Sequence, residues 1–420
     1  MSQRLDFNSQ ERVVFFYPSK VLGGAELLFV RMALELQKRG VEVFVVDYAD
    51  GVQAKRLDGS GVKLIVPRRG FRLRLPEDAT LVTPLSSIQL AQARCEIPPQ
   101  MRVLLWILHP MNVCALFRDY QKVIRIESGR EEVLRTTQPK LFTAIRASLE
   151  MAHRLGGLWP MDEPNRQSIE KTLGFELQRK YLPIALEDSD LRADHAPSNP
   201  PRIAWLGRVS NDKIFAIIRV LQDAEQFSRQ SGVTMTMDII GQGESDAELD
   251  RIVSTLQHVK VERLGTLSGE KLENYLSQTP DIVFAMGTSL LEAARLAIPT
   301  VLSDPSLAPL GIGLPYRWVH QLENYSVGEV VSSENPPREG QSFADILRSV
   351  SCKEDWFREG LWCREYFLAH HDLRAVTDIF LETLGKNRLR TVELKAYGIF
   401  SWFIHKNASL GFIRIKNLMG

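Results

Sequence analysis

The feature that most constrains this chain is a pattern that runs twice: short β-branched or aromatic runs alternate with amphipathic helical stretches, on both sides of a polar, proline-rich break. The first run opens with "RVVFFY" (12–17), which reads as a buried strand. It continues with "GAELLFVRMALELQKRG" (24–40), an amphipathic helix closed by Gly40, and with "VEVFVVD" (41–47), the next strand. Further strands are predicted at 62–67, 80–84, 101–109 and 122–128, with helices near 141–153 and 164–173. The break is "EDSDLRADHAPSNPP" (187–201), which has nothing periodic to bury. After it come strands at 202–207, 234–240, 259–264, 281–286 and 299–303, alternating with helices at 213–230, 245–257, 269–278 and 290–297.

The pattern predicts an α/β chain of two Rossmann-like, doubly wound domains. Their expected limits are 1–187 and 202–385, with 188–201 as linker and 386–420 as a separate tail. Ligands of open α/β sheets bind at the carboxyl ends of the strands, so function is expected at those ends, in a cleft between the domains.

Composition removes other classes. With 44% hydrophobic and 25% charged residues in 420, the chain is an ordinary globular one. Fifty-two basic against 51 acidic residues leave a net charge of +1, so no global field attracts nucleic acid. Cys95, Cys114, Cys352 and Cys363 lack metal-ligand or framework spacing, and no apolar run has the length of a membrane span or signal-peptide core. A reducing cytoplasmic setting is the expectation.

Charge is nevertheless segregated. Residues 386–420 carry seven Lys or Arg against Glu393, a charge of +6 that leaves −5 on the other 385 residues. Tyr397, Ile399, Phe400, Trp402, Phe403, Phe412 and Ile415 lie among those cations, a mixture suited to an anionic bilayer surface. A helix packed on the first domain, or a partner-binding tail, is the alternative.

Three clusters can carry chemistry. In "VLGGAE" (21–26), Gly23 and Gly24 allow a ligand close to the backbone at a strand-to-helix turn; a plain turn is the alternative. A dinucleotide site using Asp47 would need a G-x-G-x-x-G spacing that is missing. In "WLGRVSNDK" (205–213), Arg208 and Lys213 flank a strand-to-helix turn and can neutralise a diphosphate without a metal, or can simply be surface cations. In "FAMGTSLLEAARLAIPTV" (284–301), the turn at Gly287 opens a helix whose amides at Thr288 and Ser289 can hold a phosphate. Glu292 can take two ribose hydroxyls, or can close a capping box with Ser289. His109, at the end of "LLWILHP", can donate a hydrogen bond toward a ligand or can be a loop residue. His153, His258, His370 and His371 read as surface or capping residues, and "DSD" (188–190) reads as solvated charge in the linker.

The order and spacing of these clusters, with "GQG" (241–243) after the second strand of the second domain, resemble the GT-B glycosyltransferases of the retaining family 4-like group. The resemblance covers residues 12–385 and is most specific over 202–303. It implies metal-independent transfer of a sugar from a nucleoside diphosphate sugar, with no cofactor, to a glycan or lipid-linked acceptor in surface polysaccharide or lipopolysaccharide synthesis. It also implies contact with the inner face of the cytoplasmic membrane. Gly24, Arg208, Lys213, Thr288, Ser289 and Glu292 correspond to donor contacts, Gly23 and Glu26 to the acceptor side, and His109 to the histidine facing the sugar. One position departs: where the family has a first glutamate contacting the sugar, this chain has Phe284. An inactive scaffold and a sugar-nucleotide epimerase are the alternatives.

Overall fold

A computed structural model describes residues 11–396, apart from residues 69, 125, 127, 128 and 338. The chain divides into two units, one formed by residues up to Ala185 together with those from Leu373 onward, the other by Leu186–Asp372.

The first unit begins β1 (Arg12–Phe16), α1 (Gly24–Lys38), β2 (Glu42–Val46), α2 (Val52–Leu57), β3 (Lys63–Ile65), β4 (Leu73–Arg74), β5 (Ala79–Pro84) and α3 (Ile88–Arg94). It continues with β6 (Cys95–Glu96), β7 (Arg102–Ile107), α4 (Tyr120–Val123), α5 (Arg130–Thr137), α6 (Pro139–Arg154), β8 (Leu158–Pro160) and α7 (Glu163–Leu173). A parallel sheet of order β3-β2-β1-β5-β7-β8 forms its centre. Strands of such a sheet are covered on both faces and therefore read as continuous apolar runs. In β1, Val13 and Phe15 pack on one core and Val14 and Phe16 on the other.

The second unit repeats the plan with β9 (Ile203–Leu206), α8 (Ile214–Ser231), β10 (Met235–Ile240), α9 (Asp246–Val253), β11 (Val259–Gly265) and α10 (Glu270–Gln278). There follow β12 (Ile282–Ala285), α11 (Thr288–Ala294), β13 (Thr300–Leu302), β14 (Arg317–Trp318), α12 (Phe343–Arg348) and α13 (Lys353–His370). Its sheet has the order β11-β10-β9-β12-β13-β14, parallel except for β14.

The chain then returns to the first unit as α14 (Leu373–Lys386) and α15 (Thr391–Ala396). Phe380 of α14 lies 6.0 Å from both Phe15 and Trp106, ring centre to ring centre, and Leu389 and Leu394 join the opposite core.

Several expectations are corrected here. The domain break falls after residue 372 rather than at 385, because α14 buries its apolar face on β1 and β7. The expected linker is built into the second unit: the Ala193 amide donates to the Leu296 carbonyl, and His195 Nε2 lies 3.1 Å from the buried Asp281 carboxylate. Residues 386–396 are likewise folded onto the first unit, through the Asn387 side-chain Nδ2 on the Val103 carbonyl and the Thr391 backbone amide on the Met101 carbonyl. The remainder of the expected tail, 397–420, lies outside the described residues. In place of the strand expected from residue 122, Tyr120–Val123 is a helical turn entered through Asp119 in a left-handed conformation.

Candidate functional site

Because the first sheet is parallel, the loops after β1, β5 and β7 leave it at one edge. The Gly23–Gly24 turn follows β1, with Gly23 as the N-cap of α1. Glu26, expected toward an acceptor, is only 5% exposed and turns inward, where it accepts from the Ser19 hydroxyl. A Cβ on Gly23 would stand 2.7 Å from Glu26 Oε2, so the glycine makes room for this buried carboxylate. Glu26 thus shapes the turn from beneath.

Ser19 links that turn to Asp47. The Asp47 carboxylate is fully buried and accepts the backbone amides of Ser19, Tyr48, Gln53 and Ala54 at 2.7–3.1 Å. A carboxylate so occupied is a clamp between the loops after β1 and β2, and the geometry excludes it as a ribose ligand.

His109 follows β7 at the same edge and is exposed. Its Nδ1 accepts the Met111 amide at 3.1 Å, which places the proton of a neutral ring on Nε2. Asn112, 3% exposed, fixes the loop: its Oδ1 accepts the Leu108 amide at 3.0 Å and its Nδ2 reaches Ser86 Oγ at 3.4 Å. Ser168 of α7 closes the arrangement by donating to the Pro110 carbonyl.

At the carboxyl edge of the second sheet, Gly207 and Arg208 leave β9 while Met286, Gly287 and Thr288 leave its neighbour β12. Ser289 Oγ lies 3.8 Å from the place a side chain on Gly207 would take, so these two turns are in contact. Arg208 and Lys213 are half-buried, and neither side chain forms a hydrogen bond or ion pair among the described residues. Burial pushes the Lys213 ammonium below its ordinary range; Asp212 and Glu244 pull it up, and Arg208 pushes it further down. Two cations held near each other in this way are relieved by an anion.

The "GQG" glycines serve this turn by packing. A Cβ on Gly241 would stand 2.0 Å from the Gly207 carbonyl oxygen, and one on Gly243 would stand 2.2 Å from that of Val209. Both positions are closed to any side chain, and the loops after β9 and β10 consequently lie backbone against backbone.

In α11 the N-cap is Gly287, with no side-chain capping bond, so the capping box between Ser289 and Glu292 does not form. Instead Glu292 Oε2 accepts Arg295 Nη2 at 2.6 Å and Nε at 3.0 Å. Arg295, 8% exposed, also bonds Glu273 at 2.8 Å and the Glu187 carbonyl at 3.3 Å. Sequence reasoning missed Arg295, Ser19 and Asn112, for none of which a motif or spacing gives a signal.

Phe284 overturns a comparison. It lies within β12, fully buried, with its ring 5.3 Å from that of Tyr316 and 5.8 Å from that of Phe343. The position belongs to the core of the sheet, so its residue type says nothing about contact with a sugar. "DSD" is corrected too: Asp188 takes both Arg364 Nη atoms at 2.6 and 2.7 Å, and that guanidinium holds its carboxyl below the usual range. His371 is fully buried, and His258 pairs with Glu225 at 2.8 Å. Among the described residues no cluster of three or more His, Cys, Asp or Glu is placed to hold a metal ion, and no helix is long and apolar enough to cross a membrane.

No family model and no curated protein sequence matches the chain. Solved structures do. Anabaena HepE in complex with UDP and glucose aligns with a TM-score of 0.55 at 14% identity, over 90% of this chain and 100% of that one. Sucrose-phosphate synthase from Thermosynechococcus elongatus gives a TM-score of 0.57 at 12% identity, over 90% and 98%. The lipopolysaccharide outer core galactosyltransferase WaaB gives 0.51 at 11% identity, over 89% and 99%. These likenesses establish the fold as GT-B, an architecture of two Rossmann-like domains.

Proposed function

We propose that this chain is a glycosyltransferase that moves a sugar from a nucleoside diphosphate sugar to a glycan or lipid-linked acceptor. The observation that carries the proposal is that Arg208 and Lys213 stand half-buried at the carboxyl edge of the second sheet, with no side-chain hydrogen bond or ion pair among the described residues. A diphosphate is an anion of the right charge, which the guanidinium takes in bidentate fashion and the ammonium as a point charge.

In the reaction the bond between the anomeric carbon and the diphosphate oxygen breaks, the acceptor oxygen bonds that carbon, and the proton of the acceptor hydroxyl passes to the departing diphosphate. Arg208 and Lys213 would stabilise the charge growing on the diphosphate, where a metal ion serves in other enzymes. Glu292, steadied by Arg295, is the candidate for the ribose hydroxyls, and the backbone at Gly24, Thr288 and Ser289 for further donor contacts. His109 Nε2–H is the first unit's candidate donor toward the sugar or leaving phosphate, with Gly23 and Glu26 shaping the acceptor side. UDP is the first nucleotide to test, because HepE is similar in fold and was solved with UDP and glucose. WaaB, a lipopolysaccharide galactosyltransferase by name, directs the choice of acceptors to surface glycans. Of the expected tail, the part beyond the folded residues 386–396 would bring the chain to the inner face of the cytoplasmic membrane, by Lys406, Arg414 and Lys416, with no acid beside them, and by its interleaved aromatics.

The test is incubation of the full chain, without added metal, with labelled UDP-glucose and other nucleotide sugars, with and without extracted lipid and glycan acceptors. Acceptor-dependent release of UDP or another nucleoside diphosphate is the expected result. Conversion of the donor without any acceptor would point to an epimerase instead. Nucleotide binding without turnover would favour the scaffold reading, in which the chain holds a nucleotide and transfers nothing.

A further inference from the structure

In the first unit, residues 59–76 hold five cations, Lys63, Arg68, Arg69, Arg72 and Arg74, and no acid. Lys63 begins β3, the outermost strand of the sheet, on which Leu64 is 40% exposed; Val66, just beyond it, is 37% exposed. The chain then turns, the Phe71 amide donating to the Arg68 carbonyl at 3.3 Å, and re-enters the fold at Leu73 and Leu75, which are buried. Phe71 is left 75% exposed at the tip. Arg72 braces the turn, donating to the carbonyls of Gln92 and Cys95, contacts that leave its charge unneutralised. Arg68 forms no ion pair among the described residues, whereas Lys63 pairs with Glu42 and Arg74 with Glu77.

One exposed apolar side chain is ordinary on a protein surface; here Phe71 is exposed together with Leu64 and Val66, within nine residues of chain that also carry Arg68 and Arg72. We propose that this turn and the exposed edge of β3 rest on an anionic phospholipid bilayer. Phe71 would enter the boundary between headgroups and acyl chains, while Arg68 and Arg72 meet headgroup phosphates. Charge alone would suit any polyanion. The bilayer is favoured because Phe71, Leu64 and Val66 add apolar surface that a polyanion in water does not cover.

A second observation points to the same occupant. β4 pairs with β6, Arg74 opposite Glu96, and three residues past Glu96 the Pro99 carbonyl accepts the Val392 amide of α15. The chain leaves α15 at residue 397 into the sequence that carries Trp402, Phe403, Lys406, Arg414 and Lys416. The root of the basic aromatic tail is thus tied to the ribbon that holds the Phe71 turn. The bilayer contact proposed for the tail extends to the folded first unit, and it does not depend on the nucleotide-sugar reading.

The test is co-sedimentation of the full chain with vesicles of phosphatidylcholine, with and without phosphatidylglycerol. Binding is expected only with phosphatidylglycerol and is expected to weaken as salt rises. Arg68→Gln lowers the partition coefficient by roughly fivefold, and Phe71→Ser lowers it by on the order of tenfold. Both positions are exposed, so thermal unfolding and any nucleotide-induced stabilisation stay at the parent's values. The proposal is overturned if both variants partition like the parent, which would assign all binding to the tail. It is also overturned if phosphatidylcholine alone binds as well, or if the variants lose affinity for heparin and none for vesicles.

Discussion

Glu292 does not reach back to cap its helix; it is gripped by Arg295, one helical turn further along, with Nη2 2.6 Å from Oε2. The pair sets the carboxylate in place, and Arg295 is itself fixed by Glu273. Loss of a charged hydrogen bond to a ligand costs about 1.5–3 kcal/mol. Glu292→Gln should therefore weaken binding of a nucleoside diphosphate roughly ten- to hundredfold while leaving inorganic pyrophosphate unchanged, as titration calorimetry with the two ligands would show. Equal weakening of both would remove Glu292 from the ribose.

Phe284→Glu tests the core position of this residue. A carboxylate forced between Tyr316 and Phe343 has no partner, and such burial costs several kcal/mol. The variant is expected to lose its cooperative thermal transition or to melt far below the parent, with no gain in turnover. A folded variant with new activity would return this position to the sugar.

Gly241→Ala should be more damaging than its single methyl group suggests. That methyl meets the Gly207 carbonyl at 2.0 Å and must push the loop after β10 away from the loop after β9, which carries Arg208. Lower stability together with weaker nucleotide binding is expected from denaturant unfolding and titration of the same sample. Gly232→Ala, at a helix end with open space around it, serves as the control for left-handed strain alone.

Asp162 gives a pH dependence. This N-cap of α7 is buried, accepts the Asn165 amide at 3.0 Å, and desolvation pushes its carboxyl up to about 7. Between about pH 4 and 7 the folded chain keeps a proton that the unfolded chain has released, so this group's contribution to stability falls as pH rises through that window. Above 7 the penalty is constant. Asp162→Asn retains the capping acceptor and removes the titration. The variant should gain on the parent as pH rises from 4 to 7, by about 1.4 kcal/mol for each tenfold change in proton affinity, in unfolding measured across that range. A constant difference would contradict the assignment.

Much of the fold is legible in the sequence because both sheets are parallel and covered on both faces, so strands such as "RVVFFY" and "RIAWLG" appear as uninterrupted apolar runs. The three-residue β8 is too short to have a period, and "KVI" has β-branched residues that a left-handed Asp119 turns into a helical coil instead. The return of α14 to the first unit is a matter of which core its apolar face fills, and periodicity does not encode that. In the site, the cations at 208 and 213 and the glycines at 241 and 243 are readable from position alone. Phe284 misled because spacing counts residues without telling a strand from the loop after it. Ser19, Asn112 and Arg295 act through contacts with distant or unremarkable neighbours, and only coordinates reveal them.

The central claim is that Arg208 and Lys213 bind a nucleoside diphosphate. The most direct measurement is thermal unfolding of the full chain against UDP, GDP, ADP, CDP and dTDP without added metal, repeated with Arg208→Ala and Lys213→Ala. A ligand that binds only the native state at a hundredfold excess over its Kd stabilises by about 2.7 kcal/mol. One nucleotide is expected to raise the transition temperature of the parent, and each variant is expected to lose most of that rise. A parent whose transition no nucleotide moves, or variants that respond as the parent does, would contradict the claim.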